Sequence, residues 1–333
     1  MNNDTDLTVP LRWGLISTAR INRALIKPLR ASERNTLVAV ASRSEEKAQS
    51  YAAEWEIPRA FGSYQAMLDD PEIDVVYNSL PNHLHTEWTI KALKAGKHVL
   101  CEKPLAISLA EVDAMRSAVV EGGNVLAEAF MYRHHPQTLK VKELVDSGEI
   151  GTVRLIKGAF TFTLTNPGDV RLYPEMGGGS LWDVGCYPIS YARFILGSEP
   201  IEAFGWQLTG ESGIDEVFAG QLRFIDDVFV QFDCGFRSLS RSRLLVVGSK
   251  GTLSVSTPFK PEINEEIKIF GEDEVQTIEI PGQELYIGEV EDMADAILLG
   301  KPPRISLEDS RSNVAAILAL LRSAQEGSPI RIL

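Results

Sequence analysis

The chain has 333 residues, 44% hydrophobic and 24% charged, and at roughly 150 residues per domain this length predicts two globular domains. Its 33 basic and 46 acidic residues give a net charge of −13, which argues against nucleic acid and anionic membranes as partners. No apolar run approaches the roughly 18 residues of a membrane span, and the N-terminus lacks a secretory pattern, so we expect a cytoplasmic protein. Three widely spaced cysteines predict neither disulfides nor a zinc site.

The first 130 residues alternate short strands with longer helices. This alternation is typical of an α/β fold with a doubly wound parallel sheet that helices cover on both faces. The predicted strands are Leu11–Ile16, Leu37–Ala41, Asp74–Leu80, Lys97–Cys101 and Asn124–Ala129, and the predicted helices are Arg20–Ala31, Glu45–Trp55, Thr86–Ala95 and Leu109–Glu121.

After residue 131 the pattern changes to an α+β domain with a large, mostly antiparallel sheet. A helix over Pro136–Ser147 comes first, another follows the glycine run 177–179, and two lie near the C-terminus. Turn residues at Asp226-Asp227 and at 249–251 predict hairpins. No linker separates the halves, so we expect domains of 1–130 and 131–333 that share a cleft. The predicted strands are Val153–Leu164, Ile201–Leu208, Phe218–Ile225, Val228–Phe236, Leu244–Val247 and Thr252–Ser256.

The first predicted strand leads into a turn where dinucleotide-binding folds carry glycines. Here the turn reads Ser17-Thr18-Ala19-Arg20-Ile21-Asn22, a degraded form of that fingerprint. Small residues still let the backbone approach a pyrophosphate, whose charge a helix N-terminus favours. The alternative is an ordinary turn in which Ser17 or Thr18 caps the helix.

The end of the second strand bears on the choice of cofactor. An Asp or Glu at this place usually accepts hydrogen bonds from a ribose that lacks the 2′-phosphate. This chain has Ser42-Arg43-Ser44 instead, with Lys47 one turn later. Hydroxyl, guanidinium and ammonium groups suit a 2′-phosphate and favour NADP(H) over NAD(H). Alternatively, Arg43 is a solvated loop charge.

Three further segments carry a family resemblance. They are Pro81-Asn82-His83-Leu84-His85, Glu102-Lys103-Pro104, and the stretch 177–187, Gly-Gly-Gly-Ser-Leu-Trp-Asp-Val-Gly-Cys-Tyr. In this order they resemble the Gfo/Idh/MocA oxidoreductases, relatives of glucose-fructose oxidoreductase and inositol dehydrogenase. Within that family, residues 17–21 and 128–133 look most like the branch of dihydrodiol dehydrogenase and D-xylose 1-dehydrogenase, followed by sugar 3-ketoreductases.

The resemblance implies a Rossmann domain that binds NADP(H) and a second domain that binds substrate and forms a homodimer or homotetramer through its sheet. It implies substrate contacts from Asn166, Arg171, Asp183 and Tyr187. Departures at Ser17 and Asn22 affect the expected pyrophosphate contacts. The cofactor-binding residues it implies are Ser17, Thr18, Ala19, Arg20, Ile21, Ser42, Arg43, Ser44, Lys47, Leu80, Pro81, Asn82, His85, Glu102 and Lys103.

The resemblance also makes Lys103 the central catalytic residue, with Asp183 and Tyr187 beside it. Hydride exchange between a carbinol and nicotinamide requires a group that moves the hydroxyl proton. Asp183 and Tyr187 are four residues apart, so they share a face if the segment is helical. We expect Asp183 to hold the Lys103 ammonium and Tyr187 to be the acid/base that Lys103 activates, with Lys103 itself as the alternative. Each motif also has an alternative when it is considered alone. Glu102-Lys103-Pro104 is then an exposed loop, and Asp183 and Tyr187 are a pair on the surface of a helix.

Four smaller features complete the set of predictions. His85 has either a cofactor or substrate role or a hydrogen bond at the start of its helix. His83 and His134-His135 lack supporting carboxylates or cysteines at ligand spacing, so no metal site is expected. Arg171 either holds substrate or pairs with Asp169 or Glu175, and the glycine run predicts a mobile turn.

These observations predict an NADP-dependent oxidoreductase that transfers a hydride between a sugar and nicotinamide. The sugar would be an aldose such as a pentose or hexose, or a related cyclic polyol or dihydrodiol. One alternative is a 3-ketosugar reductase that acts on a free or nucleotide-linked sugar. The other is a non-catalytic sensor that binds the cofactor.

Overall fold

A computed structural model describes residues 9–332, which divide into two compact units. The first unit contains the described residues up to Met131 together with Tyr286–Ser310. The second contains Tyr132–Leu285 and the residues from Arg311 onward. The chain first passes from one unit to the other beside the predicted boundary at residue 130, and it returns to the first unit for the segment Tyr286–Ser310.

The first unit contains a six-stranded parallel sheet in the order β3-β2-β1-β4-β5-β6. This order confirms the doubly wound prediction, because the chain begins at a central strand and winds outward in both directions. The short strand β3 was not predicted, since three residues are too few for a periodic pattern. The strands are β1 (Leu11–Ile16), β2 (Asn35–Ala41), β3 (Arg59–Phe61), β4 (Val75–Asn78), β5 (His98–Glu102) and β6 (Leu126–Ala129).

Most helices begin and end within two residues of their predicted bounds. The first begins at Asn22, after Ile21, and no side chain caps it, so the alternative in which Ser17 or Thr18 caps this helix is not observed. The five-residue α3 was not predicted. The helices are α1 (Asn22–Ala31), α2 (Glu45–Glu54), α3 (Tyr64–Leu68), α4 (His85–Lys94), α5 (Leu109–Gly122), α6 (Pro136–Asp146), α7 (Cys186–Leu196), α8 (Ile287–Leu299) and α9 (Leu307–Glu326).

Helix α8 belongs to the first unit because its apolar face completes that unit's core. Val290 and Met293 are buried in the same cluster as Leu25 and Leu29 of α1. Arg34 reinforces this packing by ion pairs with carboxylates of α8, including one of 2.6 Å to Asp295. Such a long-range pairing leaves no mark in the local sequence pattern.

The second unit contains a nine-stranded sheet in the order β14-β13-β12-β11-β7-β10-β9-β8-β15. Its pairs are antiparallel except β10 with β7, which confirms the predicted mostly antiparallel sheet. The hairpin residues Asp226 and Asp227 both have positive φ, at 62° and 54°. The strands are β7 (Val153–Thr163), β8 (Glu202–Thr209), β9 (Asp215–Arg223), β10 (Phe229–Gly235), β11 (Arg237–Gly248), β12 (Thr252–Val255), β13 (Asn264–Phe270), β14 (Val275–Pro281) and β15 (Ile330–Arg331).

Four features of the second sheet were not predicted, namely β13, β14, β15 and the first half of β11. Their residues are largely polar and exposed, so they lack the apolar runs on which the prediction depended. Where β8, β9 and β10 pair, one face of the sheet is buried through Ala203, Leu222 and Val230, and the alternate positions are largely exposed. None of the described helices combines the length and the apolar character needed to cross a membrane.

Candidate active site

Ser17 forms the turn at the carboxyl end of β1. Its φ is 84°, the left-handed region that usually selects glycine, which explains why the fingerprint has glycine at such turns. The Ser17 hydroxyl accepts a hydrogen bond from the Ala19 N–H at 3.1 Å and lies 3.0 Å from the Ser79 hydroxyl. The serine side chain thus stabilises a backbone conformation that its Cβ disfavours.

The residues after Ser17 suit a pyrophosphate. The backbone N–H groups of Thr18, Arg20 and Ile21 have no acceptor among the described residues. Asn22 is fully buried and donates from Nδ2 to the Ser17 carbonyl at 2.8 Å, while its Oδ1 has no described partner. Open N–H donors at the start of a helix form the kind of site that an anion occupies. The turn therefore fits the predicted dinucleotide although it lacks glycines.

The end of β2 presents two cations near two hydroxyls. Arg43 and Lys47 are exposed, and neither pairs with a described carboxylate. Burial raises the pKa of the Tyr64 hydroxyl, and the charge of the Arg43 guanidinium opposes this rise. Ser42 Oγ accepts from the Ser44 N–H at 3.4 Å, and each hydroxyl keeps a proton to donate. This set fits a 2′-phosphate.

Lys103 follows β5 directly, at the carboxyl end of the parallel sheet, and is partly exposed. Two carboxylates, one half-buried and one buried, fix the backbone on either side of it. Glu102 accepts the Lys103 N–H at 3.2 Å and also the Tyr77 hydroxyl. Glu128, which is 2% exposed, accepts the Leu105 N–H at 2.8 Å. The sequence implied that Glu102 contacts cofactor, and the structure gives its carboxylate this internal role.

His85 begins α4, and its side chain is fully buried. Its Nδ1 lies 2.8 Å from the Pro104 carbonyl oxygen and its Nε2 lies 2.7 Å from that of Leu80. The ring therefore joins the segments that follow β4 and β5. Burial lowers the pKa of His85, against the opposing effect of the two carbonyls. Of the two predicted roles, the structure shows hydrogen bonding within the protein, and one of the two carbonyls belongs to Pro104, the residue after Lys103.

The glycine run of the second unit forms a turn held by hydrogen bonds. Gly177, Gly178 and Gly179 donate to the carbonyls of Pro174, Tyr173 and Arg171, each at 3.0 Å. A Cβ on Gly178 would lie 2.5 Å from the Arg171 carbonyl oxygen, so the backbones pack directly against each other. The prediction of a mobile turn is therefore wrong. The glycines allow the backbone to pack closely, which a side chain would prevent.

Arg171 and Asp183 form an ion pair in the second unit. Arg171 Nε donates to Asp183 Oδ2 at 2.7 Å, and Arg171 Nη1 donates to Asp169 Oδ1 at 3.2 Å. The charge of Asp183 raises the pKa of Arg171. The sequence offered Asp169 and Glu175 as ion-pair partners of Arg171, and the structure shows the pair with Asp169. The pair with Asp183 was not predicted. Asp183 lies in a π-helical turn, Leu181–Gly185, and not in the predicted regular helix.

Tyr187 lies in α7, one turn after Asp183, and is 3% exposed. Its ring packs against Tyr132, Phe160 and Phe259, with centroids 5.2 to 5.8 Å apart. Asn166 is exposed, and its Oδ1 accepts the Gly168 N–H at 3.0 Å within its own loop. The predicted substrate contacts of Tyr187 and Asn166 stay predictions.

Among the described residues, no group of three or more histidines, cysteines or acidic residues is arranged to hold a metal ion. His135 Nδ1 instead accepts the Gln137 N–H at the start of α6, at 3.2 Å. The three cysteines are buried and free.

Sequence reasoning missed three residues that support the site. Tyr77 and Glu128 position the Lys103 segment, and Asp215 bonds Ser180 at the end of the glycine turn. Glu128 lies within the segment 128–133 that supports the family resemblance, and this was the only sequence signal that could have identified it. Tyr77 and Asp215 have none, because each acts on residues distant in sequence.

The comparisons with known proteins cover both units. Residues 11–130 match the model of an oxidoreductase family with an NAD-binding Rossmann fold, and residues 138–254 match the GFO/IDH/MocA C-terminal domain. D-xylose 1-dehydrogenase (NADP(+)) 2 of Haloferax volcanii is 35% identical over 97% of this chain and 100% of its own length. Trans-1,2-dihydrobenzene-1,2-diol dehydrogenase of Danio rerio is 35% identical over 74% of each chain.

A solved structure is similar over nearly the whole chain. It is a 3-ketoreductase from Actinomadura kijaniata in complex with NADP and TDP-benzene, with a TM-score of 0.90 and 30% identity over 95% of this chain and 98% of its own. These matches confirm the predicted family and fold.

Proposed function

Because the chain belongs to the Gfo/Idh/MocA oxidoreductase family, we propose that it transfers a hydride between NADP(H) and the carbinol carbon of a free sugar. The observation that carries the proposal is the segment of Lys103, which Glu102, Glu128 and His85 hold at the carboxyl end of β5. Ligands of open parallel sheets bind at this edge. An ammonium group held there serves proton transfer and substrate binding.

The cofactor is NADP(H). The related xylose dehydrogenase is named for NADP(+), and the similar 3-ketoreductase structure contains NADP. In this chain Thr18, Arg20 and Ile21 would hold the pyrophosphate by their N–H groups. Arg43 and Lys47 would hold the 2′-phosphate. When bound, the nicotinamide ring supplies or accepts the hydride.

The chain's own residues handle the proton. We assign Tyr187 as the acid/base and Lys103 as the group that anchors the substrate hydroxyl. Replacing each separately tests this assignment. If Tyr187 is the acid/base, Tyr187→Phe should remove the pH dependence of kcat on the alkaline side. If this pH dependence instead persists in Tyr187→Phe and disappears in Lys103→Met, Lys103 transfers the proton.

The charge of the second unit's candidate site favours an uncharged substrate. From residue 164 to 187 the sequence has one basic residue, Arg171, and three acidic ones, Asp169, Glu175 and Asp183. The guanidinium of Arg171 is already paired with two of these carboxylates. A diphosphate would meet net negative charge here, while sugar hydroxyls can bond to carboxylates and guanidinium alike. We therefore infer that an aldose is the substrate and that it becomes a lactone.

The second candidate function is reduction of a 3-ketosugar. It is favoured by the structural similarity to the 3-ketoreductase, whose TM-score is 0.90. The same hydride and proton transfers would run in the reductive direction, with the ketone oxygen accepting the proton.

The test is nicotinamide absorbance of the full chain with NADP⁺ and with NAD⁺ across pentoses, hexoses, inositols and trans-dihydrodiols. We expect NADP⁺ reduction with an aldose, and no inhibition by free TDP at concentrations near the KM for the sugar. Strong TDP inhibition and turnover of a nucleotide-linked ketosugar with NADPH would transfer the assignment to the 3-ketoreductase function. Tight NADPH binding without any turnover would contradict both.

We propose further that the large sheet forms a homodimer or homotetramer. Its unburied face carries Trp206, which is 60% exposed, and Phe229, which is 46% exposed. Large exposed aromatic side chains on a flat sheet are typical of protein interfaces. Light scattering of the native chain should give a mass of two or four subunits, and Trp206→Glu should lower it; a monomeric native chain would contradict the proposal.

A further inference from the structure

Asp215 begins β9 and is 4% exposed, yet the proposed reaction does not use it. One of its oxygens, Oδ2, accepts two hydrogen bonds. They come from the Ser180 hydroxyl at 2.8 Å and from the Leu181 N–H at 2.7 Å. Both donors lie at the start of the π-helical turn that carries Asp183. A buried carboxylate thus holds the first residues of the Leu181–Leu196 helical stretch.

The same carboxylate contacts the last residue of the glycine turn. Gly179 has φ 125°, and a Cβ there would lie 2.3 Å from Asp215 Oδ1. Gly179 in turn donates to the Arg171 carbonyl at 3.0 Å, and its own carbonyl accepts the Asp183 N–H at 3.1 Å. The backbones of both members of the Arg171–Asp183 pair therefore attach to one glycine that packs on Asp215.

Among the described residues, the surroundings of Asp215 provide hydrogen-bond donors and no cation. The donors are one hydroxyl and backbone amides, and the positive end of the helix adds a partial charge. The ionisable group that faces it from β10 is the Cys234 thiol, 3.7 Å from Ser180 Oγ. Burial, the Asp215 charge and the nearby Cys186 keep that thiol neutral by raising its pKa. Burial also raises the pKa of Asp215 to about 6, and the hydrogen bonds oppose this rise.

We propose that Asp215, in its ionised form, is a positioning residue that fixes Gly179 and the π-helical turn so that Arg171 and Asp183 hold the geometry that binds sugar. This inference rests on the proposed function for its consequence in catalysis. Its structural part, that the charge of Asp215 fixes the turn, stands independently. A protonated carboxyl is a weaker acceptor than a carboxylate, so protonation loosens both bonds to the turn.

The proposal predicts a loss of sugar binding in mild acid. As the pH falls through the pKa of Asp215, the carboxylate accepts a proton and the turn loosens. The KM for sugar should then rise about tenfold while the affinity for NADP(H), which the first unit holds, stays constant. The acid limb of kcat/KM should therefore have its midpoint near pH 6.

Two variants and one control test the proposal. Ser180→Ala removes a donor to the carboxylate, so it should raise the pKa of Asp215 and move the acid limb to higher pH. Asp215→Asn cannot ionise, so it should raise the KM for sugar about tenfold at every pH and lack the limb. Asp273→Asn changes an exposed aspartate in the turn between β13 and β14 and should behave like the native chain. An acid limb that stays in place in both Ser180→Ala and Asp215→Asn would overturn the proposal.

A second readout needs no turnover. Trp182 lies beside the turn, its Cδ1 3.8 Å from a Cβ built on Gly179, so its fluorescence reports the local geometry. Subtracting the emission of Trp182→Phe from that of the native chain gives the contribution of Trp182. This contribution should change with pH with the same midpoint as the acid limb of kcat/KM, and it should not change with pH in Asp215→Asn. If no sugar is oxidised but this titration occurs, the proposed function fails and the role of Asp215 is supported. If Trp182 does not respond to pH, the role of Asp215 is refuted whatever the activity.

Discussion

His85 Nδ1 lies 2.8 Å from the carbonyl oxygen of Pro104, the residue after Lys103. The other ring nitrogen lies 2.7 Å from the Leu80 carbonyl, so one side chain joins the segments that follow two neighbouring strands. Carbonyl oxygens only accept hydrogen bonds, so the neutral ring, which burial favours, donates to one of the two carbonyls and lies against the other. His85 acts on Lys103 through the backbone, which makes it a positioning residue.

Replacing His85 should lower turnover more than it lowers cofactor affinity. His85→Gln keeps a donor for one carbonyl but loses the rigid ring that spans both, so the Lys103 segment loses its fixed position. A small displacement of the group that anchors the substrate hydroxyl costs about tenfold or more in kcat. Steady-state kinetics and NADPH titration measure the two effects. His98→Gln, at the opposite end of β5, also loses a backbone hydrogen bond and serves as the matched control; equal losses of kcat in both variants would contradict the role.

His85 should also make the folded protein less stable in acid. Burial lowers its pKa in the folded state, while in the unfolded chain the pKa is about 6.5. Below about pH 6.5 the unfolded state therefore binds more protons, and the free energy of unfolding falls as the pH falls. Urea unfolding at several pH values should show a smaller decrease for His85→Gln than for the native chain. A parallel decrease in the two proteins would refute the lowered pKa.

Lys103→Ala should remove most turnover and leave cofactor binding nearly intact. The side chain supplies proton transfer or substrate anchoring, which contributes about 10² to 10⁴ in rate. The backbone of the segment is held by Glu102 and Glu128, so the fold does not need the ammonium. Single-turnover rates and NADPH affinity measured on one preparation separate these effects. Loss of NADPH binding with unchanged turnover at saturation would contradict the assignment.

Arg43→Ala should weaken NADP(H) far more than NAD(H). A charge-assisted bond to the 2′-phosphate contributes about 1.5 to 3 kcal/mol, which corresponds to roughly 10- to 100-fold in Kd. NAD(H) lacks that phosphate, so its affinity should change little. Lys27→Ala removes an exposed cation from α1 and is the control for net charge. Equal weakening of both cofactors in Arg43→Ala would show that Arg43 does not read the 2′-phosphate.

Gly179→Ala should disrupt the site and not only the stability of the turn. The new Cβ would lie 2.3 Å from Asp215 Oδ1, so the carboxylate or the turn must move. Gly123→Ala has a similarly left-handed φ of 71° but nothing within 4 Å of the new Cβ. Both variants should lose about 1 kcal/mol from backbone strain, whereas only Gly179→Ala should raise the KM for sugar. Thermal unfolding and sugar kinetics compare them, and similar KM values would contradict steric coupling to Asp215.

Much of the fold could be predicted from local pattern. The parallel strands of the first unit consist of short apolar runs, and their burial on both faces is what such runs indicate. The position of Lys103 followed from the same reasoning, because residues after parallel strands lie at one edge of the sheet. The role of Arg43 toward a 2′-phosphate stays a prediction, which rests on residue types at a known place in the fold.

The sequence by itself determined the doubly wound sheet, the antiparallel second sheet, the family and the candidate lysine, since each follows from patterns within a few dozen residues. Only the tertiary structure decided that α8 completes the first unit's core, that His85 joins Leu80 to Pro104, and that Arg171 pairs with Asp183. It also brought Asp215 against Gly179, residues that are far apart along the chain. Such contacts depend on which surfaces meet when apolar area is buried, and no local period records that choice.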